Sequence, residues 1–122
     1  MKNYRLPSWL LGLVAFLPLG VQAQAMSPKE IQESLVGKPL AGKAGNDKAF
    51  TMTLQPDGVV SISGAAANDT GIWRLSDAGY CTTWKTIRAG QERCFTVQRQ
   101  EGGELIVYNL DGSISGRIDK LR

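Results

Sequence analysis

After Gly37 the apolar residues of this chain switch to an alternating pattern that turn residues interrupt at short intervals. Phe50, Met52 and Leu54 fall on one side of an extended backbone and Thr51, Thr53 and Gln55 on the other, the period-two signature of a strand with one face buried. Pro56-Asp57-Gly58 is turn chemistry, and residues 59–63 return as the hairpin partner. Residues 64–71 are small and polar and predict a mobile loop. Further strands are expected at 70–75, 80–86, 93–99, 104–110 and 113–119, with turns at Asp77-Ala78-Gly79, around 88–91, at Gly102-Gly103 and at Asp111-Gly112. With a short first strand near Leu40, this makes about eight strands of roughly five to seven residues. The expected fold is mainly β, an antiparallel meander closed as a small barrel or folded as a sandwich. Asp57-Gly58 before Ser61-Ile62-Ser63-Gly64 is echoed by Asp111-Gly112 before Ser113-Ile114-Ser115-Gly116. The spacings differ, so shared turn chemistry explains the echo better than a repeat.

One short helix precedes the strands. Ser27 is an N-cap, Pro28 suits the first helical position, and Glu30 completes a capping box. Met26 and Ile31 stand at the positions of a hydrophobic staple. Gly37 ends the helix, predicted over 28–36. So short a helix does not persist alone, so Ile31, Leu35 and Val36 form its docking face.

The first 25 residues read as an export signal. Lys2 and Arg5 supply a positive start, residues 9–19 form an apolar run broken only by Gly12 and Pro18, and Ala23-Gln24-Ala25 is a small-x-small cleavage site. Val21-Gln22-Ala23 obeys the same rule, so cleavage after Ala23 is the alternative. The apolar run is shorter than the ~20 residues of a spanning helix. No integral span is therefore expected after cleavage, and the expected location is periplasmic or secreted. Residues 26–122 then form one β-rich domain.

The net charge of +3 overstates the basic character of that domain. Lys2 and Arg5 leave with the signal and all 11 acids stay, so 12 basic residues face 11 acidic ones and the balance is +1. Nothing in that balance favours nucleic acid or an anionic membrane. The two cysteines, Cys81 and Cys94, are most simply one disulfide in an oxidising compartment. Closing a loop of about 14 residues is worth roughly 3 kcal/mol in the chain-entropy model, against about 5–10 kcal/mol for a whole domain. A redox pair has Cys-x-x-Cys spacing, which this pair lacks. If Cys81 faces Cys94, a two-residue turn falls on Ile87-Arg88, which is poor turn chemistry. A turn on Ala89-Gly90 instead sets Gln98 opposite Cys81. Either the loop is wider or a bulge corrects the register.

The chain has no histidine. Ser-His and Cys-His nucleophile pairs are therefore excluded, and so is imidazole ligation of zinc or haem. No metal or cofactor is expected. Paired carboxylates would suffice for a glycosidase, but Asp57, Asp69, Asp77 and Asp111 lie in or beside predicted turns, which accounts for them. Asn68-Asp69-Thr70 matches a glycosylation sequon. The aromatic residues are the remaining lead. Tyr80 and Trp84 share one strand face, Phe95 and Val97 share another, and the surrounding segment is locally basic. Core packing is one reading. The other is a barrel mouth lined by Tyr80 and Trp84 and rimmed by Arg74, Lys85 and Arg88.

Gly71-Ile72-Trp73-Arg74, then Tyr80-Cys81-Thr82-Thr83-Trp84, then Arg93-Cys94-Phe95 give a Gly-x-Trp … Cys-x-x-Trp … Cys-Phe pattern. This resembles a family of small exported proteobacterial proteins known only as a domain of unknown function, over about residues 50–116. The resemblance implies an exported β domain in which Cys81 and Cys94 pair, and it carries over no catalytic residue. The short Ala-rich loop of this chain departs from that family.

The expected function is a periplasmic, non-enzymatic binding or interaction domain for a small ligand or a periplasmic protein. The alternatives are an inhibitor of a lysozyme-type cell-wall hydrolase, by analogy of size and format, and a hydrolase that works with carboxylates alone.

Overall fold

A computed structural model of the protein describes residues 24–121, so nearly all of the predicted export signal lies outside the described residues. Eight antiparallel strands follow one another around a closed barrel. They are β2 (Leu40–Ala44), β3 (Ala49–Leu54), β4 (Val59–Ser63), β5 (Asp69–Leu75), β6 (Tyr80–Trp84), β7 (Arg93–Arg99), β8 (Leu105–Asn109) and β9 (Ile114–Ile118). Each pairs with the next, and β9 closes the ring on β2 through Gly42↔Ile118, Lys43↔Arg117 and Ala44↔Gly116. Closure as a barrel decides between the two architectures the alternation allowed, and it leaves no unpaired edge along the ring.

The hairpins follow their turn chemistry. Asp57 and Asp111 each accept a hydrogen bond from the backbone N–H two residues on, and Gly58 and Gly112 both sit at φ 91°. The two echoed segments are thus two copies of one turn. Gly71 lies opposite Trp84 in the β5–β6 register, and a Cβ there would strike the Thr83 carbonyl oxygen. The glycine of the Gly-x-Trp pattern is therefore the residue that lets β5 and β6 approach.

The helix α1 spans Pro28–Ser34, two residues shorter than expected, because Leu35 already serves as its C-cap. Both arms of the capping box are made at 3.1 Å. Met26, Ile31 and Leu35 are fully buried, and Arg99 on β7 reaches Glu30 at 3.4 Å. Burying the side chains of Ile31 and Leu35 is worth about 1.5–3 kcal/mol each, which holds a helix too short to stand alone. The Gly37 N–H donates to the Leu54 carbonyl, so α1 packs across the barrel end where β3 finishes and β4 begins. Trp73 is half-buried at that same end and its indole N–H donates to the Gln55 carbonyl at 2.7 Å.

One short strand was not anticipated. β1 (Gln24–Ala25) pairs with β7 through Gln24↔Arg99 and Ala25↔Gln98, and the Met26 N–H continues the ladder to the Val97 carbonyl. A signal boundary after Ala25 would cut off this strand, whereas one after Ala23 would leave it whole.

Candidate functional site

Inward positions on a strand alternate with outward ones, and the β5–β6 register sorts the candidate residues. Tyr80, Thr82 and Trp84 point into the barrel and are 3%, 2% and 5% exposed. On β7 the inward residues are Phe95 and Val97, both buried. Tyr80 and Phe95 are direct cross-strand neighbours with ring centroids 5.3 Å apart. The pairs Tyr80–Trp84 and Phe95–Val97 thus share the faces that their spacing implied.

At the end of the barrel away from α1 the interior is not filled. A cavity of about 170 Å³ remains, walled by Phe50, Met52, Trp84, Phe95 and Val107, with Thr82 on its wall and Arg88 beside its mouth. Of the five residues proposed as a binding face, Tyr80, Trp84 and Arg88 line this cavity. Arg74 and Lys85 do not. Arg74 is opposite Cys81, an outward position, and its guanidinium grips Glu92 at 2.8 and 3.0 Å. It belongs to the outer face of the sheet, one residue out of phase with the cavity. Lys85 is exposed beyond the end of β6 and contributes only a backbone N–H, to the Thr70 carbonyl.

Cys81 and Cys94 are directly paired in the β6–β7 register and form the expected disulfide, with Cα atoms 3.9 Å apart. The wider-loop solution to the register problem is the one realised, because the chain between β6 and β7 turns through a 3-10 segment, Ile87–Gly90. The Glu92 carboxylate lies within 4.8 Å of both sulfurs. Those sulfurs are bonded to each other, so this cluster is not a metal-ligand set.

The loop between β6 and β7 carries the charge at the mouth. Arg88 and Ala89 both have left-handed backbone, φ 55° and 53°, which non-glycine residues seldom adopt. Asp69 holds the loop in place. Its Oδ2 accepts from the Thr86 N–H, the Thr86 hydroxyl and the Ile87 N–H, each at 2.9 Å. Those bonds from the Ile87 and Thr86 amides hold the Asp69 carboxyl down to about 2. Asp69 was expected to be a turn residue; it is instead the first residue of β5 and reaches a segment 17–18 residues away. The Arg88 guanidinium lies 5.5 Å from the centroid of the Phe95 ring, within cation–π range. Burial, then the charge of Arg93, lowers its pKa. Burial pushes the Tyr80 phenol well above its usual range, against the opposing pull of Arg88.

The Ala-rich loop between β4 and β5, expected to be mobile, is tied to the barrel by hydrogen bonds. Asn68 bonds both the N–H and the carbonyl of Gly64, the Ala66 N–H donates to the Ala49 carbonyl, and the methyls of Ala66 and Ala67 line the cavity mouth. Thr82 is the other contributor not anticipated, although it lies between Tyr80 and Trp84 on the same face. Its hydroxyl oxygen is buried and has no hydrogen-bond partner among the described residues. No carboxylate among the described residues lines the cavity. Comparison of the chain with family models, with curated proteins and with solved structures finds no match.

Proposed function

We propose that this chain is an exported, non-enzymatic binding module that takes a small apolar ligand through the open mouth of its barrel. The observation that carries this reading is the cavity itself, apolar-walled at one end while α1 and Trp73 cover the other. Its volume of about 170 Å³ is close to that of an engineered cavity of ~150 Å³ that binds benzene. Asp57 and Asp111 are engaged in their own turns, Asp69 in loop anchorage and Glu92 with Arg74, which favours binding over hydrolysis by carboxylates. Export, and membership of the family that the Gly-x-Trp … Cys-x-x-Trp … Cys-Phe pattern resembles, belong to the same proposal. A disulfide suits an oxidising compartment.

Titration of the purified, disulfide-bonded domain with benzyl alcohol, followed by NMR, tests the proposal. Shifts at the Trp84 indole N–H and the Thr82 methyl are expected, with little change at Trp73. No shift at any cavity residue overturns the reading, as does turnover of a glycan or ester that one Asp or Glu substitution abolishes.

A second reading, inhibition of a cell-wall hydrolase, draws support from the β8–β9 turn at the same end of the barrel. Leu110 is 70% and Ile114 40% exposed there, apolar side chains that a partner would cover. Inhibition of a lysozyme that Leu110→Asp abolishes would favour it.

A further inference from the structure

We infer that the cavity takes a small apolar acid, a ring or short hydrocarbon body of about six to eight carbons whose single carboxylate faces the Arg88 guanidinium. The inference rests on the reading of the cavity as a binding site and adds the chemical class of what enters it.

Among the described residues, Arg88 is the only charged side chain that lines the cavity. Of the other basic groups, Arg74 is paired with Glu92, and Arg99 with Glu30 at the helix-covered end. Arg88 has no acidic partner within 4 Å among the described residues. Its surroundings are the face of Phe95, the phenol of Tyr80 and a second cation, Arg93. A partly buried cation without a counter-charge is an unfavourable arrangement, and an anion in the mouth would relieve it.

The backbone that presents Arg88 is also costly. Two consecutive non-glycine residues are held in the left-handed region, a conformation that persists only where surrounding contacts over-determine it. The three bonds to Asp69 supply that constraint. Asp69 itself does not line the cavity, whereas Arg88 does. Thr82 lines the same cavity and is 2% exposed, and its buried hydroxyl oxygen has no hydrogen-bond partner among the described residues.

One cation and, among the described residues, no second basic group on the lining suits a monoanion better than a dianion. The planar fork of a guanidinium matches a carboxylate in geometry as well as charge. The apolar walls then select a body without further polar groups.

The test compares benzoate with benzyl alcohol, which share a ring and differ in charge, on the native domain and on Arg88→Gln. Binding is read by NMR titration at pH 7. Benzoate is expected to bind at least ~10-fold more tightly than the alcohol, since a hydrogen bond to a charged group is worth that much or more. Arg88→Gln is expected to abolish the difference, read as the ratio of the two affinities on the same variant. The thermal midpoint of Arg88→Gln verifies that it folds. If it does not fold, Arg88→Lys keeps the charge without the fork and is expected to retain part of the preference. Equal affinities in the native domain, or a preference that survives Arg88→Gln, overturn the inference and leave the cavity as a binding site. Binding of neither probe overturns the broader reading instead.

Discussion

Replacing Thr82 with valine is expected to make the protein more stable. Thr82 is 2% exposed on the inner face of β6, and its hydroxyl oxygen has no partner among the described residues. Burying a hydroxyl without compensation costs about 1–3 kcal/mol in proteins. Valine has nearly the same shape and puts a methyl where the oxygen was, so no cavity opens and no neighbour has to move. The net expected gain is about 1–3 kcal/mol, and each kcal/mol raises the midpoint of a domain of roughly 100 residues by about 4–8 °C. Urea unfolding of the native and Thr82→Val proteins, followed by tryptophan fluorescence, gives the difference directly if the slope stays constant and only the midpoint moves. A loss of stability, or no change, would refute the reasoning, because either result means that the hydroxyl is hydrogen-bonded in the folded protein. The expected gain has a functional counterpart, since binding sites commonly retain polar groups at the expense of stability.

Four other outcomes follow from the geometry. Native material should show no free thiol on labelling, and replacing Cys81 and Cys94 with serine should cost about 2–4 kcal/mol in denaturant unfolding; two labelled thiols would exclude the bridge. The Asp69 carboxyl, held at about 2 in the fold and near its ordinary 3.8 when unfolded, should stabilise the loop between β6 and β7 fully above the unfolded value. That contribution is lost as pH falls through about 2, so NMR shifts of the Thr86 and Ile87 amides should titrate near there, and a midpoint near 4 would contradict the loop anchorage. If the proposed export takes place, mass spectrometry of the mature protein should find Gln24 at its start, since cleavage after Ala23 keeps β1 whole; a start at Met26 would show β1 to be dispensable. Trp73→Phe should cost about 1 kcal/mol for the lost bond to the Gln55 carbonyl, and Trp73→Ala less than the ~3–5 kcal/mol of a fully buried aromatic, because the ring is half-buried; a full core-sized loss would place it inside.

Local chemistry determined much of this protein from its sequence alone. Alternation set which residues of each strand face inward, so Tyr80 with Trp84 and Phe95 with Val97 were legible before any coordinates. Turn and cap residues act within four positions of themselves, so the Asp57 and Asp111 hairpins and the Ser27–Glu30 box were legible too. What sequence could not decide were relations between distant segments. Whether β9 would close on β2 depends on a pairing between residues more than 70 positions apart. The separation of Arg74 from the cavity depends on the β5–β6 register, where a shift of one residue exchanges the two faces of the sheet. Asp69 was accounted for by its own neighbourhood, yet its partners are Thr86 and Ile87, brought to it only by the folding of β5 against β6. The cavity belongs to the same class: no local pattern states whether a ring of inward side chains fills the space it encloses. That depends on summed volume and barrel diameter, quantities that exist only once the sheet is closed.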